Sequence, residues 1–146
     1  MITTKPLLSP EICSRIDQWL LRYPPDQKRS GVFEALRLVQ EANGNSLTPE
    51  LMDAVALYLE IPPIAVYEVA TFYSMYFLVP MGKHVIDVCT NVSCMMNGST
   101  ELMKKKKKRL NVKVGETTAN GKFTLRSVEC LGACIGAPAC QIGKKY

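Results

Sequence analysis

Four cysteines in the second half of the chain have the residue type and spacing needed to hold a metal centre. Cys89 and Cys94 are separated by four residues, and Cys130 and Cys134 by three. Residues 95–129 lie between the two pairs and are long enough to form a helix and a strand. Iron–sulfur clusters are bound by four cysteine thiolates in this manner. The spacing therefore favours a [2Fe-2S] cluster with all four cysteines as iron ligands, in a protein that carries electrons.

Two other interpretations of these cysteines stay open at this stage. Zinc sites allow two to four residues between paired ligands, so both spacings suit a structural zinc ion. Unligated thiols are the third possibility. His84 is the only histidine, which excludes a Cys2His2 zinc site and a Rieske centre. Disulfides need an oxidising compartment, and the segment Met1–Pro6 lacks the apolar region of a secretion signal.

The loop around the second cysteine pair is rich in residues with little or no side chain. Such residues let backbone N–H groups point at sulfur, which stabilises an anionic cluster. A flexible loop that merely tolerates small residues is the alternative. Glu129 would lower the reduction potential of the cluster if its carboxylate pointed inward. The small residues are Gly132, Ala133, Gly136 and Ala137.

Four other residues need separate interpretations. Cys13 lies in a predicted helix and Cys140 opens a predicted strand, so we expect both to be buried or half-buried thiols that bind no metal. Asn91 and Ser93 lie between the first two cysteines. Their side chains could donate hydrogen bonds to cluster sulfurs, although ordinary turn propensity explains both residues equally well.

The composition is that of a globular chain with one domain, or one small domain with a helical extension. The chain has 146 residues, 47% of them apolar, and a net charge of +5. No apolar run approaches the ~18 residues of a membrane span. The net charge comes from Lys104–Lys108, because 13 basic and 13 acidic residues remain without that run. The run lacks interleaved aromatics, so we expect a solvated helix face and no nucleic-acid site.

The elements that must position the cysteines fall into two halves. Residues 1–79 are predicted to form a helical bundle, with capped helix starts at Ser9-Pro10 and Thr48-Pro49. The second helix is expected over about 30–42. Apolar residues at helical spacing are expected to face the core, among them Val32, Phe33, Leu36, Val39, Val66 and Phe72.

The second half, residues 80–146, has the pattern of strands around a helix. A β-branched strand from His84 runs into Cys89, and a hairpin turn at Asn120-Gly121 precedes a strand that leads to Cys130. The other predicted elements are a helix over 100–110 and strands at 112–114 and 139–142. The fold class is therefore α+β: a helical bundle followed by an α/β sandwich with both cysteine loops at strand ends. Because five consecutive lysines cover every face of the helix, we expect it to be the weakest element of this half.

The chain resembles the thioredoxin-like [2Fe-2S] subunit (the E subunit) of NADH:quinone oxidoreductase, which is respiratory complex I. The resemblance covers residues 9–146. It rests on Cys89-Thr-Asn-Val-Ser-Cys94, Gly115-Glu-Thr-Thr, Gly121-Lys-Phe-Thr-Leu125, Val128-Glu-Cys-Leu-Gly-Ala-Cys134 and Ala137-Pro138, with Ile61-Pro-Pro and Val69-Ala-Thr-Phe-Tyr-Ser74 in the helical half.

The resemblance implies a thioredoxin-like fold in which Cys89, Cys94, Cys130 and Cys134 bind the cluster. It implies docking to a flavoprotein subunit that binds FMN and NADH, contact with other peripheral-arm subunits, and single-electron exchange with the FMN. It further implies a cytoplasmic location, peripheral to the inner membrane, or the mitochondrial matrix in a eukaryote. Family members usually continue with another strand and a helix, so a C-terminally short domain is expected. Related subunits occur in NAD-reducing hydrogenases and NAD-linked formate dehydrogenases, and these enzymes are the alternative parent complexes.

The chain has no catalytic residues that the sequence can identify. It contains no glycine-rich nucleotide loop, so oxidation of NADH would need a partner chain. It also contains no Cys-x-x-Cys motif, which argues against thiol–disulfide exchange. A structural module held together by zinc remains the alternative to an oxidoreductase subunit.

Overall fold

A computed structural model describes residues 7–146 of the chain, so the expectation for Met1–Pro6 lies outside the described residues. The described residues divide into two compact units, the first ending at Pro80 and the second running from Met81 to Tyr146. Within residues 7–146 there are six α-helices, two short 3-10 helices and one three-stranded sheet. This composition confirms the predicted α+β class with a helical first half.

The first unit is built from four helices, two of which begin at the capped starts that the sequence predicted. They are α1 (Pro10–Leu20), α2 (Val32–Ala42), α3 (Pro49–Leu59) and α4 (Pro63–Phe72). The Ser9 side chain accepts a hydrogen bond from the Ile12 N–H, and Thr48 accepts one from Leu51. These bonds satisfy N–H groups that have no partner inside a helix, which is why the two capped starts were readable from sequence.

Two of the side chains that were expected to face the core of the first unit are exposed, so those two predictions were wrong. Val32, Leu36 and Val39 are buried, but Phe33 is 39% exposed and Phe72 is 81% exposed. Phe33 is one position away from the stripe that α2 turns to the core, and it packs instead against the Tyr73 ring with centroids 4.8 Å apart. The 3-10 helix Lys28–Gly31 also delays the start of α2 to Val32.

The second unit is a mixed sheet with helices connecting its first two strands. Its elements are β1 (His84–Cys89), α5 (Val92–Met96), α6 (Ser99–Leu110), β2 (Phe123–Val128) and β3 (Cys140–Ile142). The strand order is β2-β1-β3, with β1 parallel to β2 and antiparallel to β3. Ile86, Val88 and Leu125 pack with Met103 of α6 into one core, so α6 covers one face of the sheet.

The strand expected over residues 112–114 does not form, and that prediction was wrong. Val112 packs instead against the core between α6 and the sheet, directly after the left-handed end of α6 at Asn111. The backbone that pairs with β2 comes slightly later. The Gly115 N–H donates to the Leu125 carbonyl at 2.7 Å, and the Thr118 N–H donates to Phe123 at 2.8 Å. The expected turn follows, with Gly121 in the left-handed region.

Helix α6 accommodates the lysine run by turning most of it to solvent. Lys104, Lys105, Lys107 and Lys108 are exposed, and only Lys106 is half-buried. Leu102, Met103 and Leu110 supply the apolar contacts to the sheet. That α6 is the weakest element of the unit stays a prediction. None of the helices in residues 7–146 combines the length and hydropathy needed to cross a membrane.

Candidate metal centre

The parallel pairing of β1 and β2 brings the two cysteine loops to the same end of the sheet. Cys89, the last residue of β1, lies opposite Val128, the last residue of β2. The Thr90 N–H donates to the Val128 carbonyl at 2.9 Å and holds the two strand ends together. Because Cys130 follows Val128 by two residues, both loops leave the sheet side by side.

Cys89 and Cys94 form the buried half of the site. Their exposed fractions are 2% and 1%, and both pack with the buried Ala139. The Ala139 N–H donates to the Cys94 sulfur at 3.4 Å, and the Cys89 N–H donates to the Ala139 carbonyl at 3.1 Å. Cys94 lies in the short helix α5, which turns its side chain inward. Because Ala139 makes both of these hydrogen bonds, this one residue holds both cysteines in place.

The pKa values of the two buried thiols are shifted in opposite directions. Burial disfavours the Cys89 thiolate, but hydrogen bonds from the Asn91 and Leu131 N–H groups and from the Cys94 thiol outweigh burial and lower the pKa of Cys89. The Ala139 N–H favours the Cys94 thiolate, yet burial and the neighbouring Cys89 sulfur raise the pKa of Cys94. The surroundings of Cys89 therefore favour its thiolate more than those of Cys94 do, and the thiolate is the form in which cysteine binds metals.

Cys130 and Cys134 form the exposed half of the site. The Gly132 N–H donates to the Cys130 sulfur at 3.3 Å, and Gly132 adopts a left-handed conformation with φ of 69°. Leu131 of this loop packs against the buried pair. The Tyr146 hydroxyl donates to the Leu131 carbonyl at 3.0 Å and ties the loop to the end of the chain.

The donor set fits an iron–sulfur cluster in its chemistry. Two pairs of thiols lie in adjacent loops, and backbone N–H groups already point at sulfur in both pairs, as the ligands of an anionic cluster require. Among residues 7–146, no three or more His, Cys, Asp or Glu side chains are arranged to hold a metal ion. Assignment of the four cysteines as ligands stays a prediction.

The other residues singled out from sequence have different positions. The Asn91 side chain accepts from the Val92 N–H at 2.7 Å, so it caps α5 as ordinary turn propensity predicts. The Ser93 carbonyl accepts from the Asn97 side chain. Glu129 is exposed, and its charge disfavours the Cys89 thiolate.

The remaining two cysteines pack against other parts of the molecule. Cys140 lies opposite Val88 and packs into the core beneath α6, on the sheet face away from Cys89. It is half-buried, and burial raises the pKa of its thiol. Cys13 is half-buried and packs against the core of the helical unit. Both thiols are half-buried as expected, and that neither of them binds metal stays a prediction.

Three features of the site were missed from sequence. Helix α5 was not predicted, although Asn91 is a good N-cap residue that could have signalled it. The Ala139 and Leu131 N–H groups reach the buried sulfurs from residues distant in the chain, and no local pattern indicates such contacts. Helix α5 also exposes apolar side chains beside the cysteines. Val92, Met95 and Met96 are 61%, 53% and 79% exposed, and Ile135 of the second loop is fully exposed.

The comparisons with known proteins agree with this geometry. Residues 16–146 match the family of thioredoxin-like [2Fe-2S] ferredoxins, and the chain belongs to that family. The E subunit of NADH-quinone oxidoreductase from Rickettsia typhi (strain ATCC VR-144 / Wilmington) is 48% identical over 125 residues, which are 86% of this chain and 74% of that protein.

Two further matches extend the comparison. NADH dehydrogenase [ubiquinone] flavoprotein 2, mitochondrial, of Dictyostelium discoideum is 42% identical over 132 residues, or 90% of this chain and 53% of that protein. The crystal structure of an NAD+-reducing [NiFe]-hydrogenase in the H2-reduced state matches with a TM-score of 0.61 and 21% identity. That match covers 77% of this chain and 19% of the hydrogenase chain, and it supports the fold.

Proposed function

We propose that this chain is an electron-transfer subunit of an NADH:quinone oxidoreductase, with a [2Fe-2S] cluster held by Cys89, Cys94, Cys130 and Cys134. The observation that supports this most is the pairing of Cys89 with Val128, which puts both cysteine loops at one end of the sheet. Relatives that are 42–48% identical are named as subunits of NADH-oxidising enzymes. In this proposal residues 80–146 are the cluster domain, and residues 1–79 are a separate helical domain.

The residues of the chain would divide the work of holding the cluster. When bound, a [2Fe-2S] cluster accepts and releases one electron at a time. Cys89 and Cys94 would bind from the buried side, where the Ala139 N–H donates to a ligand sulfur. Cys130 and Cys134 would close over the exposed side, with the Gly132 N–H donating to sulfur. Both N–H groups stabilise negative charge on the ligands and so raise the reduction potential.

The partner in this proposal is a flavoprotein subunit that binds FMN and NADH and exchanges single electrons with the cluster. Exposed apolar side chains on α5 (Val92, Met95 and Met96) and in the second cysteine loop (Ile135) support docking at the cysteine loops, because exposed apolar patches mark interaction sites. Other peripheral-arm subunits would complete the surroundings. The proposed location is peripheral to the inner membrane on the cytoplasmic side, or the matrix in a eukaryote.

Anaerobic purification of the full chain tests the cluster directly. We expect about two irons and two acid-labile sulfides per chain, with visible absorption that bleaches when dithionite is added. A colourless protein with one zinc ion and no sulfide would favour the structural module instead.

Single substitutions test the ligand set. Cys94→Ala and Cys134→Ala should abolish stable incorporation of the cluster, because each removes an iron ligand. Cys13→Ala and Cys140→Ala are the matched controls and should keep iron and sulfide at the level of the unmodified chain. Loss of the cluster in Cys140→Ala would show that the ligand assignment is wrong.

A further inference from the structure

A pair of opposite charges lies on the same sheet as the cysteines. Asp87 of β1 and Arg126 of β2 are directly opposite in the parallel register, and the Arg126 Nε is 3.5 Å from the Asp87 carboxylate. The two side chains are only 19% and 16% exposed. Because water screens charges poorly at such positions, the field of each group extends further than it would at the surface.

Side chains alternate between the two faces of a strand, which places Asp87 and Arg126 on the same face of the sheet as Cys89. Ile86 and Val88 pack beneath α6, so Asp87 and Cys89 point to the opposite face. Two residues of strand separate their Cα atoms by about 7 Å. Arg126 lies diagonally across from Cys89 on the neighbouring strand, at about 8 Å by the same strand spacings. The Cα atoms of both residues are thus no further from that of Cys89 than about a Debye length, which is about 8–10 Å at physiological salt.

Stability alone gives a poor reason for placing the pair there. Moving two charges out of water costs free energy that their attraction repays only in part, and an apolar pair of similar volume is often as stable. The same two charges do have an effect on a redox centre. A carboxylate disfavours the additional electron of a reduced cluster, and a guanidinium favours it.

We propose that the charges of Asp87 and Arg126 set the reduction potential of the cluster. Asp87 lowers this potential and Arg126 raises it. The inference rests on the proposed function, since it needs the cluster. We expect Asp87 to have the larger effect, because it lies on the same strand as Cys89 and its Cα atom is the nearer of the two. Neither residue binds the cluster, so neither substitution removes an iron ligand.

The test is a redox titration of the cluster-loaded full chain. The electron paramagnetic resonance signal of the reduced cluster is the readout at each potential. Asp87→Asn should raise the midpoint potential, and Arg126→Gln should lower it. Glu101→Gln and Lys105→Gln are matched controls that remove the same charges from α6, on the other face of the sheet, where both side chains are exposed. The controls should shift the potential less than the paired residues do.

Opposite shifts in the two variants would support the proposal, because a merely structural role does not predict opposite signs. Shifts no larger than those of the controls, or two shifts of the same sign, would overturn it. If Arg126→Gln does not fold, the exchanged variant D87R/R126D keeps the ion pair and puts the positive charge nearer Cys89. It should raise the potential, and a lowered or unchanged potential would refute the inference. Iron and sulfide are assayed in the unmodified chain and in every variant, so absence of the cluster from the unmodified chain would instead count against the proposed function.

Discussion

Replacing Gly132 by alanine isolates the contribution of one backbone conformation to the cysteine loop. Gly132 has φ of 69°, and its N–H donates to the Cys130 sulfur. A Cβ at this position would meet no atom within 4 Å, so the substitution adds no steric clash. Its whole effect is the cost of holding an L-residue in the left-handed region, which is about 1–2 kcal/mol.

That cost applies only when the loop has the conformation in which its N–H reaches sulfur. A penalty of about 1–2 kcal/mol lowers the population of that conformation by about 5–30-fold. We therefore expect Gly132→Ala to lose iron to a chelator about 5–30 times more readily than the unmodified chain, measured as decay of visible absorbance. Gly132→Asn should recover part of the loss, because asparagine tolerates the left-handed region better than alanine.

Gly136 supplies the control within the same loop. It lies in the 3-10 helix Cys134–Gly136, outside the left-handed region, and a Cβ there would also meet nothing within 4 Å. Gly136→Ala should therefore retain iron as well as the unmodified chain. Equal iron loss in Gly132→Ala and Gly136→Ala would refute the argument from backbone conformation.

Two further predictions concern the docking surface and the helical unit. Met96→Ala should weaken association with the proposed flavoprotein partner by about 10–150-fold in a co-purification or titration assay, since burying a Met side chain contributes about 1.5–3 kcal/mol. Leu57→Ala, which removes a similarly exposed side chain from α3, is the control. An equal effect of the two would contradict a docking role. Burial raises the pKa of Tyr76 to about 12. The folded state therefore holds this proton more tightly than the unfolded state, and stability that is complete below pH about 10 should be lost as pH rises towards 12. Alkaline unfolding of Tyr76→Phe should lack that component, and an unchanged pH profile would show that Tyr76 does not supply it.

Local chemistry explains the parts of this fold that were predictable. Ser9 and Thr48 cap their helices through bonds to N–H groups three residues away, so the signal lies within one turn of chain. The β-branched run that ends at Cys89 forms β1 as expected. The turn at Asn120-Gly121 formed because Gly121 accepts the left-handed conformation that the turn requires.

Helical periodicity predicted which helices exist better than which side chains they bury. Phe33 and Phe72 have the same hydrophobicity as residues of the core, yet both are exposed. The direction in which a helix faces is decided by its neighbours, and the apolar stripe of α2 includes Val32 and Val39 but excludes Phe33. Residues 112–114 have the local pattern of a strand, but Val112 packs against the core beside α6 and no strand forms there.

For the candidate site, the order of residues alone specified the four thiols, their spacing and the small residues around the second pair. It also placed Cys89 at the end of a strand. Tertiary packing was needed to bring β1 and β2 side by side in a parallel register, to direct the Ala139 N–H at Cys94, and to point Cys140 to the other face of the sheet. The physical reason is that strand pairing and backbone hydrogen bonds join residues about 40 positions apart, and no local pattern encodes such partners.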